Sequence, residues 1–247
     1  MALKRAKYAL KRAAGTLAGL LYPRGANCLC CGDPRRAGME DCLCPKCREG
    51  LMRLRVPAWA CERCLSPVKR GVPCRFCASR AMRSIRAVYA PYRYAMEARA
   101  LIHALKFSAC DEALLPLAHA MADALKKRDF DCIVPVPLHP RRQRQRGYNQ
   151  ALLLCRELSN ETGIPVREML RRDRWRRPQS RTPLQKRRKN VEGAFSCAED
   201  AAGLRILLVD DVRTTGSTAC ACADALMQGG AESVSLCVSA VVFRRGG

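Results

Sequence analysis

The string Ile206-Leu207-Leu208-Val209-Asp210-Asp211-Val212-Arg213-Thr214-Thr215-Gly216-Ser217-Thr218 constrains this chain more than any other stretch. Four consecutive apolar residues bounded by polar and turn-forming ones read as a short strand buried on both faces. Asp210 and Asp211 then fall at its carboxyl end, where open α/β sheets bind ligands. The residues from Thr214 to Thr218 supply hydroxyls, a glycine that lets backbone approach a ligand, and the start of a helix. The free N–H groups and dipole of that helix favour an anion. A ribose 5-phosphate suits this layout, with the acids accepting hydrogen bonds from ring hydroxyls and the loop taking the phosphate. Taken alone, the acid pair also fits a solvated strand end or a generic Mg²⁺ site.

The 247 residues allow one ordinary domain plus a small module, at roughly 150 residues per domain. A formal charge of +23 indicates polyanionic company, whether a phosphorylated substrate, nucleic acid or an anionic membrane surface. Seventeen cysteines would suggest disulfides in a secreted chain, but no secretory signal is evident and many cysteines fall in CxxC pairs. That arrangement argues for metal ligands in a reducing cytoplasm. No run reaches the roughly 18 apolar residues of a membrane span.

Residues 1–27 place Leu3, Leu10, Ala14, Leu17 and Leu21 at helical spacing among Lys4, Arg5, Lys7, Lys11 and Arg12. This predicts a basic amphipathic helix, packed on the protein or resting on the inner face of a membrane. Residues 28–80 carry four knuckles, Cys28/Cys31, Cys44/Cys47, Cys61/Cys64 and Cys74/Cys77. Two CxxC turns complete a tetrahedral shell of four thiolates, so four knuckles make two structural Zn²⁺ sites with no open position for catalysis. Sequential pairing gives two consecutive zinc ribbons, and interleaved pairing gives one crossed module. Cys30 and Cys42 break the spacing and are read as spectators.

Residues 81–247 alternate strands with helices, which predicts an α/β domain with a mainly parallel sheet and flanking helices. Ile85 to Ala90 reads as a strand, Ala95 to Phe107 as a helix, and Glu112 to Lys127 as a second helix that Pro116 restricts in its first turns. Asp131 to Pro140 reads as a buried strand entering a proline-stiffened loop that carries Arg141, Arg142, Arg144 and Arg146. A helix from Asn149 to Thr162 follows, capped by Asn and stopped by Gly163 and Pro165. Residues 171–191 are intensely basic and lack apolar periodicity, which reads as an arm or loop. A helix from Thr218 to Gln228 and a strand from Val234 to Val242 close the domain. His103 and His119 are single histidines on helices and are assigned no role.

Several of these motifs together resemble one family, the ComF proteins, which are phosphoribosyltransferase-like and associated with natural competence. The resemblance rests on the CxxC ribbons, Leu101-Ile102-His103-Ala104-Leu105-Lys106-Phe107, Val134-Pro135-Val136-Pro137-Leu138, and Arg146-Gly147-Tyr148-Asn149-Gln150. It also rests on Gln179, Arg187 and Asn190 ahead of Gly193-Ala194-Phe195, and on the Asp210 string. That string resembles the phosphoribosyl pyrophosphate (PRPP) signature of type I phosphoribosyltransferases. The resemblance implies a type I phosphoribosyltransferase-like domain preceded by a double zinc ribbon.

Carried over, it implies that Asp210 and Asp211 hold the ribose hydroxyls as catalytic residues, that Thr214, Thr215, Gly216, Ser217 and Thr218 serve the 5′-phosphate, and that Arg213 also binds substrate. Pro137, Leu138, Arg141, Arg142 and Arg146 would face the pyrophosphate, with Gln179, Arg187 and Asn190 also binding substrate and Mg²⁺ bridging pyrophosphate and ribose oxygens. The family link brings single-stranded DNA and a competence helicase-like protein as further partners, in DNA uptake. Two alternatives stand beside PRPP binding in competence. One is an active Mg²⁺-dependent phosphoribosyltransferase of unknown acceptor, and the other a zinc-ribbon adaptor for nucleic acid with an inert transferase domain.

Overall fold

The computed structural model describes residues 27–33, 43–69, 71–78, 82–107, 111–125, 129–172 and 193–243. The helix expected over residues 1–27, apart from Asn27, lies outside them, as do Cys42, Gln179, Arg187 and Asn190.

Two long strands form the centre. Strand β6 (Arg205–Arg213) and strand β7 (Ser233–Val241) pair in parallel from Arg205↔Ser233 to Arg213↔Val241. Their near-continuous apolar runs suit strands covered on both faces, where every side chain leaves water. On one side β3 (Cys132–Pro135) pairs with β6, from Cys132↔Ile206 to Pro135↔Val209. On the other side β1 (Val88–Tyr89) and β2 (Tyr92–Arg93) pair with β7 end to end, like one interrupted strand. All pairings in this five-stranded sheet are parallel. A separate antiparallel pair joins β4 (Leu170–Arg172) to β5 (Phe195–Cys197).

Helices cover both faces. Leu207 and Val209 of β6 pack with α3 (Met96–Phe107), α4 (Asp111–Leu125) and α6 (Gln150–Thr162) through Leu101, Leu117, Met121 and Leu154. Ile206 and Leu208 face the other way, towards α7 (Ser217–Gln228) through Ala219, Cys222 and Leu226. Helix α6 begins at Asn149, whose side chain accepts from Ala151 N, and ends at Gly163 with φ +73, a left-handed cap that glycine enters without a Cβ penalty.

The Cys-rich stretch packs into these same cores. Cys28, Cys47, Leu51 and Leu54 join the α3 side, and Cys64 joins the α7 side with Met82 and Ile85. Helix α1 (Pro45–Arg53) starts at the knuckle Cys44/Cys47, and the single turn α2 (Arg75–Ala78) lies across Cys74/Cys77.

Three expectations need correction. The strand expected over Ile85 to Ala90 is only Val88–Tyr89, although Arg86 N still donates to Val234 O. Pro116 does not restrict the start of its helix, because the helix begins at Asp111 and runs through the proline to Leu125. The arginine-bearing loop is a helix, α5 (Pro140–Arg146). His139 Nδ1 caps it by accepting from Arg141 N at 3.1 Å, Pro140 supplies the fixed φ of a first turn, and Gly147 closes it.

Leu207 is fully buried, so Leu207→Ala should cost about 2–5 kcal/mol in urea unfolding. Truncating the exposed Met227 to alanine should change stability by no more than about 0.5 kcal/mol.

Candidate functional site

The site opens where β6 outruns its neighbour. Pairing with β3 stops at Pro135↔Val209, while β6 continues along β7 to Arg213. Asp210 and Asp211 therefore lie inside β6, beyond the end of β3, rather than at the tip of a short strand as the sequence suggested. Successive side chains of a strand point to opposite faces. Asp211 thus follows Leu207 and Val209 towards α3 and α6, and Asp210 follows Leu208 towards α7 and β4. Both still line one cavity of about 780 Å³, together with Pro137, Leu138, Arg142, Arg146, Thr214 and Thr218.

Further side chains of that cavity escaped the sequence reading, His103, Gln145 and Val136 among them, and above all Lys106, Gln150 and Arg172. Lys106 Nζ pairs with Asp211 Oδ2 at 2.7 Å, and Gln150 Nε2 donates to the same oxygen at 3.1 Å. Arg146 in turn donates to Gln150 Oε1, and the Tyr148 hydroxyl donates to Leu105 O beside Lys106. With only 6% of its surface exposed, Asp211 is thus satisfied by a cation and an amide, as a buried carboxylate must be. Asp210 differs. Its Oδ1 accepts from Asp211 N at 2.8 Å, while burial and then the neighbouring Asp211 charge push its carboxyl up to about 7. Lys106 and Arg172 oppose that rise. Asp210 therefore titrates near neutral pH, and both acids sit among Lys106, Arg142, Arg146 and Arg172. The cavity is accordingly electropositive.

After β6 the chain turns through Thr214, Thr215 and Gly216 into α7. Gly216 has φ +74, a conformation that favours glycine and aims the first free N–H groups of α7 across the loop. Ser217 N and Ser217 Oγ both contact Thr215 Oγ1, at 3.3 and 2.9 Å. Thr215, Gly216 and Ser217 line a smaller recess of about 40 Å³ that Asp210, Thr214 and Thr218 share. The hydroxyl-rich loop and the two acids therefore converge. Arg213 and Arg141 do not line the main cavity. Arg141 is exposed on α5, and Arg213 is buried beneath the loop, its guanidinium 5.0 Å from the centre of the Phe76 ring.

The cysteines pair sequentially, Cys28, Cys31, Cys44 and Cys47 in one cluster and Cys61, Cys64, Cys74 and Cys77 in the other. Zinc–sulfur bonds of about 2.3 Å in a tetrahedron place sulfurs about 3.8 Å apart. The sulfurs of Cys31 and Cys44 are 3.8 Å apart, those of Cys61 and Cys77 3.6 Å, and those of Cys64 and Cys74 3.5 Å. Both clusters could therefore hold zinc. The Cys44 N–H donates to Cys28 Sγ at 3.3 Å, a bond that favours the thiolate form a metal needs. Cys30 is a spectator, with its sulfur directed to Glu97 O at 3.6 Å.

The parallel sheet, its flanking helices and the acid-bearing rim strand followed by a glycine loop define a type I phosphoribosyltransferase-like α/β fold. No family model matches the chain. It is 32% identical over 219 residues to DNA utilization protein YhgH of Escherichia coli K12, covering 84% of this chain and 88% of that protein. Competence protein F of Haemophilus influenzae is 42% identical over 92 residues, 36% of this chain and 40% of that protein. Competence protein ComFC of Bacillus subtilis is 27% identical over 214 residues, 79% of this chain and 82% of that protein. The chain belongs to the ComF family.

Among solved structures it matches glutamine PRPP amidotransferase of B. subtilis at TM-score 0.35 and 21% identity, over 49% of this chain and 24% of that one. UMP synthase of Leishmania donovani matches at TM-score 0.33 and 20% identity, over 55% of this chain and 22% of that one. The chain thus spans about a quarter of these larger proteins. Among the described residues no helix is long and apolar enough to cross a membrane.

Two measurements check this site. The full chain should carry two zinc ions per molecule by native mass spectrometry, and chelation should lower its melting temperature, because Cys28, Cys47 and Cys64 sit in the cores. A metal-free chain with unchanged melting would contradict the assignment.

The second concerns pH. A carboxyl with a raised folded-state pKa adds stability that is complete below its unfolded value of about 4 and is lost as pH rises through about 7. Asp210→Asn removes that loss, so its melting temperature should gain on the wild type between pH 5 and pH 8. A difference independent of pH would contradict the shift.

Proposed function

We propose that this chain binds PRPP, with Mg²⁺, in the cavity at the carboxyl rim of its sheet, in the service of DNA uptake or utilization. The observation that carries the reading is the convergence of Asp210, Asp211, Thr214 and Thr218 on one electropositive cavity. PRPP presents three matching features. Its 5′-phosphate suits the hydroxyls and free N–H groups at the start of α7. The vicinal ribose hydroxyls suit carboxylates as acceptors, and Asp210 in its protonated form can also donate. The pyrophosphate suits Lys106, Arg142, Arg146 and Arg172, since charge-assisted hydrogen bonds to phosphate are the strong ones.

Lys106 and Gln150 hold Asp211 in place before any ligand arrives, so the acid is already oriented. Mg²⁺ takes oxygen ligands and keeps several waters, which fits a site offering carboxylates and hydroxyls beside a pyrophosphate. When bound it would screen the pyrophosphate charge. In a transferase an acceptor would attack the anomeric carbon while pyrophosphate leaves, and the surrounding cations would stabilise the departing charge. Pro135, Val136, Pro137 and Leu138 stand where many phosphoribosyltransferases have a glycine-containing pyrophosphate loop, which favours binding over turnover.

The biological setting comes from the relatives. Their names connect them with DNA utilization and competence, and the charge of +23 suits a chain that works beside a polyanion. Single-stranded DNA and a helicase-like protein fit that setting as partners, and the cytoplasm, beside the inner face of the membrane, fits it as the location.

Isothermal titration with PRPP and Mg²⁺ tests the reading. The wild type should bind, and the double variant Asp210→Asn, Asp211→Asn should lose the heat of binding while zinc content and far-ultraviolet dichroism stay unchanged. A wild type that binds no PRPP would overturn it. Release of pyrophosphate in the presence of nucleobases would extend binding to transfer.

A further inference from the structure

The knuckle Cys74/Cys77 encloses Arg75 and Phe76, and Phe76 leaves the cysteine module to meet the ribose-phosphate loop. Its ring carries the Arg213 guanidinium at 5.0 Å. The ring's Cζ also lies 3.6 Å from the point a Cβ would occupy on Gly216. Arg213 is the last residue of β6 and immediately precedes the loop, yet only 3% of its surface is exposed. Its Nη2 reaches Ser66 Oγ at 3.5 Å, and its buried Nε has no hydrogen-bond partner among the described residues. Ser66 follows the knuckle Cys61/Cys64 by two residues, so both knuckles of the second cluster supply a group that touches Arg213.

A buried guanidinium without a carboxylate is costly unless its surroundings supply negative charge. The second cluster does so, since four thiolates around one divalent ion form a net negative shell. With metal bound, that shell holds Phe76 in a fixed turn and favours Arg213 in its buried position. Arg213 and Gly216 bracket Thr214 and Thr215, so fixing these two positions fixes the backbone that would receive a phosphate. Among the described residues the first cluster has no such reach. Its residues pack on the α3 side, and its neighbour Cys30 contacts Glu97.

We propose that the second cysteine cluster is a positioning device for the ribose-phosphate loop, with Phe76 and Arg213 transmitting metal occupancy to residues 214–218. The ligand side of this proposal rests on the PRPP reading above. The mechanical side does not, because loop order can be measured without a ligand. Phe76 touches no proposed substrate atom and acts through Arg213 and Gly216, as a positioning residue.

The test combines hydrogen–deuterium exchange over residues 214–218 with titration of ribose 5-phosphate, on the zinc-loaded full chain. Phe76→Ala keeps all eight ligands and should retain two zinc ions. Exchange in the loop should nevertheless quicken about fivefold or more, with a comparable loss of ribose 5-phosphate affinity. Phe76→Tyr should restore most of both, and Phe76→Leu, which keeps apolar bulk but offers Arg213 no ring face, takes the place of the alanine variant if that one does not fold. Cys31→Ser in the first cluster should lose one zinc ion and leave the loop at its wild-type exchange. The proposal is overturned if Phe76→Ala leaves loop exchange unchanged, or if Cys31→Ser quickens it equally. If the wild type binds no ribose 5-phosphate, the PRPP reading fails, and loop exchange alone still decides this one.

Discussion

The site depends on a mismatch in strand length. A parallel strand satisfies its backbone through the neighbour on each side, so a strand that outlasts one neighbour exposes an edge and opens both faces at once. Here the pairing of β3 ends at Pro135, with one last bond from Val136 N to Val209 O, while β6 runs on beside β7. The edge so exposed is where Asp210 and Asp211 sit. Their side chains point to opposite faces, and only the missing neighbour lets one cavity reach both. Without it the two acids would occupy separate environments and could not address one sugar.

Electrostatics then divides the labour between them. Asp211 is tied into a run of partners, Lys106, Gln150 and Arg146, drawn from the three helices α3, α6 and α5. Among the described residues Asp210 accepts from its neighbour's amide, and it titrates near neutrality. Two adjacent identical residues thereby differ in their surroundings, one held by a cation and an amide and the other a group that can hold a proton. Burial and then the charge of Asp211 raise Asp210.

Much of this was legible in the sequence because it is written locally. The apolar run before Asp210, the Asn149 cap with its Gly163 stop, and the CxxC spacing each specify their own geometry within a few residues. Helix α5 was not legible, since Arg141 to Arg146 carry no apolar stripe and its evidence lies in the His139 cap and Gly147 stop. Lys106, Gln150 and Arg172 come from three elements far apart in the chain, and only tertiary packing brings them to Asp210 and Asp211. The surroundings of Arg213 were hidden for the same reason. Phe76 and Ser66, more than a hundred residues earlier, hold its side chain beneath the loop, where it lines the small recess with Thr214 to Thr218.

A crystal structure of the full chain with PRPP and Mg²⁺ tests the central claim most directly. The account predicts the 5′-phosphate on the amides of residues 215–218 and the ribose hydroxyls at Asp210 and Asp211, with pyrophosphate towards Lys106 and Arg146. A ligand bound elsewhere, with Asp211 still closed on Lys106 and the rim cavity filled only by water, would contradict it.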